Sequence, residues 1–145
     1  MAHLNLTARA YLPLLEAALA EARALQRPAP ARYRSDLTGA VIAAMTGPLP
    51  GFGRMRFGRV RTSPAFVPSG ELAKAAVAGE FDRLQDAQIA STRAADGLPL
   101  QAVKLASPFD PRVRYNVWAC LTMLPRHQMR HLQQAERVWP ARVSR

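Results

Sequence analysis

Across residues 2–26, apolar side chains return at Leu4, Ala8, Tyr11, Leu15, Ala18, Ala22 and Leu25, in alternating steps of four and three. That spacing matches the turn of an α-helix and draws one core-facing stripe. Pro13 lies inside the run and predicts a bend or a loosened turn, because its ring has no N–H and crowds the turn before it. Arg27-Pro-Ala-Pro ends the pattern. A second helix is predicted over 34–46, with Leu37, Val41, Ile42 and Met45 inward and Gly47-Pro48 as its stop. Residues 47–70 show no period, and a connection of that length serves as a crossover, a binding element or a flexible segment. With Ser69 as N-cap, a third helix is predicted over 70–95, its stripe passing through Leu72 or Ala73, Val77, Phe81, Leu84 and Gln88.

The fourth pattern covers 112–138. Its stripe is Val113, Val117, Cys120 or Leu121, Leu124, His127, His131, Ala135 and Val138. Two histidines therefore stand where the period calls for apolar residues. Pro125 removes the hydrogen bond to Leu121 and predicts a kink just before His127. No repeat and no alternating strand pattern occurs, so the expected class is all-α: a four-helix bundle in one domain spanning 1–145.

Composition adds boundaries. With 145 residues, 49% of them hydrophobic, the chain is long and apolar enough to bury a core. No apolar run approaches the roughly 20 residues that span a bilayer, and Met1-Ala2-His3-Leu4-Asn5 lacks a basic stretch followed by a continuous apolar core, so no signal peptide is expected. A lone Cys120 suits a reducing compartment, so a cytoplasmic, bacterial-type protein is expected. The net charge of +10 invites a nucleic-acid partner. However, the basic residues are arginines except for Lys74 and Lys104, in a chain also rich in Ala, Pro and Gly. A GC-rich genome accounts for that bias without phosphate binding. Arg54, Arg56, Arg59 and Arg61 follow no single face and read as a solvated basic loop.

The chain's three histidines are His3, His127 and His131. Residues four apart on a helix share a face, so His127 and His131 can address one ion. An unpartnered imidazole at a core position carries a desolvation cost, and His3 opens another core-facing helix. A divalent ion would serve all three, since neutral imidazole binds zinc, nickel, copper or iron and three protein ligands leave positions open. The competing reading is a hydrogen-bonded core pair with His3 exposed at a frayed end. His3 can reach the pair only if the first and last helices run antiparallel. Gln128 follows His127, so the HExxH protease motif is absent. Cys120 reads as a buried inert thiol and Glu136 as a solvated carboxylate.

His3-Leu-Asn-Leu-Thr-Ala-Arg-Ala-Tyr-Leu-Pro resembles the second helix of DinB-like (YfiT-like) domains, where a metal-binding histidine is followed by leucine. His127-Gln-Met-Arg-His131-Leu-Gln-Gln-Ala-Glu-Arg-Val resembles that family's last-helix signature. Thr62-Ser-Pro-Ala-Phe66-Val-Pro and Ser107-Pro-Phe109 resemble loop segments of one DinB-like branch. The resemblance implies a four-helix bundle holding zinc or nickel on His3, His127 and His131. It further implies a metal-dependent hydrolase or a thiol S-transferase, the latter using a low-molecular-weight thiol with a small-molecule substrate. In the family, one more helix precedes the first histidine. The chain as it stands is thus expected to form an N-terminally truncated bundle, with an uncovered apolar groove that favours a homodimer. His3 would then sit in a fraying first turn, and metal would bind weakly. The alternatives are a noncatalytic basic module for nucleic acid or an acidic partner, and an inactive truncated paralogue.

Overall fold

The computed structural model describes residues 1–47, 63–68 and 70–138. Helix α1 (Ala2–Ala24) keeps its predicted stripe, with Ala8, Tyr11, Leu15, Ala18 and Ala22 buried. Pro13 sits on its exposed side within a continuous helix, where water can serve the carbonyl it leaves free.

Helix α2 (Leu37–Thr46) starts three residues later than its period suggests, because Asp36 takes the N-cap and accepts a bond from the Gly39 N–H. Its inward face also differs. Leu37, Val41 and Met45, expected inside, are 82%, 50% and 51% exposed. Gly39 is buried instead, with Ile42 and Ala43 packed on the core. A Cβ on Gly39 would overlap the Cβ of Ala119 and lie 3.3 Å from that of Tyr115. Close backbone approach at a glycine, rather than the largest side chains, selects the face.

After a 3-10 turn at Pro64–Phe66, helix α3 (Lys74–Ala94) begins at N-cap Ala73. This is four residues later than expected and leaves Leu72 outside the helix, 51% exposed. Ser69 falls outside the described residues. Val77, Phe81 and Leu84 are half-buried, and Gln88 and Ser91 are buried.

The all-α expectation needs one correction. Residues 114–116 are not helical: β2 (Arg114–Asn116) pairs antiparallel with β1 (Lys104–Ala106), with Leu105 opposite Tyr115. Strands of three residues are too short to register as alternation. Helix α4 (Val117–Val138) starts where the strand stops. Asn116 makes that switch, its Oδ1 accepting from the Ala119 N–H at 2.8 Å and its Nδ2 donating to the Arg34 carbonyl at 2.9 Å. The described chain is thus mostly helical, four helices with one small two-stranded sheet.

Side-chain bonds fix the helix directions. Asn5 reaches Val77 and Glu80, and Arg23 reaches Ala94, so α1 and α3 run parallel. Gly39 faces Ala119 and Met45 accepts from Arg130, so α2 and α4 run parallel. Tyr11 meets Tyr115 while His3 meets His127 and His131, so α1 and α4 are antiparallel, as the histidines require. The core lies between α1, α4 and the hairpin, built on Tyr11, Leu15, Val103, Tyr115, Val117 and Cys120. No helix among the described residues is long and apolar enough to cross a membrane.

Candidate metal centre

Continuing the stripe of Val117, Cys120 and Leu124, α4 turns His127 and His131 toward α1 one turn apart, and His3 arrives from the first turn of α1. The ring centroids of His3 lie 5.5 Å from His127 and 5.0 Å from His131, and those two lie 4.7 Å apart. One candidate ligand nitrogen from each ring falls within 4.8 Å of the other two. All three candidate ligands therefore meet, half-buried, at the N-terminal end of α1. The His127–His131 pair is also in contact, its Nε2 atoms 3.1 Å apart.

That contact fits either expected reading in isolation. In a neutral, ion-free pair one Nε2 must carry a hydrogen and donate to the other. Alternatively, two nitrogens on one ion at about 2.1 Å would stand about 3.0 Å apart at a right angle and about 3.4 Å at the tetrahedral angle. His3 departs from the exposed, frayed end of the competing reading. It does not fray into solvent: its Nδ1 lies 2.8 Å from the Phe66 carbonyl oxygen, and the His3 carbonyl accepts from the Thr7 hydroxyl at 2.9 Å. A second-sphere carbonyl on the non-ligating nitrogen is the usual support of a metal-binding histidine.

The surroundings of the two α4 imidazoles disfavour their charged forms. Burial, reinforced by His131, His3 and the Arg130 guanidinium, pushes His127 down from 6.5 to about 4. Burial, with His3 and Arg130, also lowers His131, against a bond from Gln134 that raises it. Neutral imidazole is the ligating form, so these rings need shed no proton near neutral pH. The donor set fits a borderline divalent ion such as zinc or nickel, being three imidazoles with no carboxylate or thiolate among the described residues.

Other candidates resolve differently. Cys120 is fully buried and burial pushes its thiol up to about 12, the inert thiol expected. Glu136 is exposed. Pro125 lies within a continuous α4, two residues before His127. Arg54, Arg56, Arg59 and Arg61 lie outside the described residues. Sequence reasoning missed the Phe66 carbonyl, the Arg130 field and a bond from Gln128 to Gln88 at 3.1 Å beside His127. Gln88 did leave a signal, being a polar residue on an apolar stripe, as the two histidines are. No family model, curated protein or solved structure matches the chain.

Proposed function

We propose that this chain is a DinB-like metal protein, binding one zinc or nickel ion through His3, His127 and His131. Its reaction class is hydrolysis or thiol-dependent transfer. The observation that carries the reading is the convergence of all three histidines of the chain, from opposite ends of the sequence, on a space 4.8 Å across. A bound ion supplies a Lewis acid that lowers the pKa of a water or thiol reaching an open position. The residues do the rest. The α4 pair sets the spacing of two donors, the Phe66 carbonyl orients the third, and Arg130 biases the site toward anionic ligands. Three neutral imidazoles would hold the ion without neutralising its charge.

Equilibrium dialysis against zinc or nickel, with metal counted by mass spectrometry, tests the reading. The expected stoichiometry is one ion per chain, falling to none in His127→Ala while helical circular dichroism is kept. Free ion at about a thousand times Kd should stabilise the native chain by about 4 kcal/mol. Unchanged stoichiometry in His127→Ala overturns the assignment.

A further inference from the structure

The two loop segments singled out in the sequence, around Phe66 and Phe109, meet beside His3. Phe66 is 5% exposed and closes the 64–66 turn, its N–H donating to the Ser63 carbonyl at 2.9 Å. Its ring packs on that of Phe109 at a tilt of 31°, centroids 4.0 Å apart. Phe109 is held in turn by Tyr11, centroids 6.2 Å apart, and by its N–H donating to the Ser107 hydroxyl at 3.3 Å. Tyr11 is anchored in the core by its hydroxyl, 2.6 Å from that of Tyr115. An unbroken series of contacts thus runs from the bundle core through two loop aromatics to the carbonyl that receives the His3 ring.

The hydrogen bond settles a tautomer. A carbonyl oxygen only accepts, so at 2.8 Å His3 Nδ1 must carry the hydrogen. The lone pair then lies on Nε2, the only nitrogen of this ring free to ligate. Phe109 keeps 42% of its surface exposed, so its ring contributes less to the core than a buried phenylalanine, and its closer aromatic neighbour is Phe66 rather than Tyr11.

We propose that Phe66 and Phe109 are positioning residues of the metal centre: their ring contact fixes the Phe66 carbonyl, which commits His3 to the Nδ1–H form and to ligation through Nε2. The inference rests on the three-histidine metal reading. Loss of such second-sphere support typically lowers metal affinity 10–100-fold.

Phe109 is the residue to vary, because its exposure lets the fold survive truncation. Two quantities are read in the full chain for wild type, Phe109→Ala and Phe109→Tyr: zinc Kd, and the His3 tautomer in metal-free, 15N-labelled protein by long-range 1H–15N correlation at pH 7.5. Wild type and Phe109→Tyr should show the Nδ1–H form and equal affinity. Phe109→Ala should lose the single tautomer and bind zinc about 10–100-fold more weakly. A purely structural role for the ring would lower the melting temperature and leave the tautomer alone. If wild type binds zinc and Phe109→Ala binds within twofold of it, this proposal is overturned and the metal reading stands. A wild-type chain that binds no zinc or nickel overturns the metal reading and this proposal with it.

Discussion

Replacing Gly39 with alanine sets two opposing effects against each other. Alanine is the better helix former, by up to about 1 kcal/mol in a helix interior, and Gly39 is the third residue of α2. Sequence propensity therefore predicts a stabilised protein. The structure predicts the reverse. The new Cβ would overlap Ala119 Cβ, lie 2.8 Å from the Asp36 carboxylate oxygen that caps α2, and lie 3.3 Å from Tyr115 Cβ. Cβ atoms move only with their backbone, so α2 must back away from α4 or the cap must break. Overpacking of this kind costs about 1–3 kcal/mol, and a lost N-cap about 1 kcal/mol more. After the propensity gain the net destabilisation is about 1–3 kcal/mol, a fall in melting temperature of roughly 3–10 °C for a chain of this size. Thermal unfolding followed by circular dichroism reads it. Adding Ala119→Gly should return the space, giving a coupling of at least about 1 kcal/mol in the double-mutant cycle. Zinc affinity should not change, because Ala119 lies two helical turns before His127, about 12 Å along α4. A Gly39→Ala protein as stable as wild type, or strict additivity with Ala119→Gly, would refute the packing argument.

The metal-free chain should lose stability in acid through His127. Its folded pKa, about 4, is below the unfolded 6.5, so the unfolded chain binds more protons between these values. This contribution is complete above pH 6.5 and disappears as pH falls toward 4. Linkage sets a ceiling of about 3 kcal/mol, and the half-exposed ring brings the expectation to about 1–2. Melting curves with chelator at pH 7.5, 5.5 and 4.5 should therefore fall less steeply in His127→Asn than in wild type, and equal slopes would contradict the assignment. At the surface, Leu37→Gln should change stability by no more than about 0.5 kcal/mol, its side chain being 82% exposed. Leu15→Ala, at 0% exposure, should cost about 2–5 kcal/mol. Urea unfolding of both variants compares them directly, and comparable losses would show that α2 buries the face its sequence pattern first suggested.

What the sequence made legible divides along physical lines. Long-range periodicity worked wherever one face of a helix is clearly apolar: α1 and α4 lie close to where their stripes put them, and His127 and His131 stood out because polar rings broke a strong pattern. The antiparallel run of α1 and α4 followed from asking how His3 could reach the pair. Periodicity carried no information for α2, which has no charged residue to mark its outer side, so the burial of Gly39 and the exposure of Leu37 depend on a backbone approach that only the folded chain displays. The hairpin was invisible because each strand is three residues long. The support of the site was hidden for another reason. His3 is oriented by a backbone carbonyl, a group every residue owns, so nothing in the identity of Phe66 announces it. What distinguishes this carbonyl is the ring of its own residue, packed against Phe109 from a distant loop. A candidate ligand set can thus be read from three side chains, whereas the support proposed for it depends on aromatics whose composition alone suggests only core. For that reason the Phe109 variants probe the site more sharply than another histidine substitution: they leave every candidate ligand in place and change only what aims one of them.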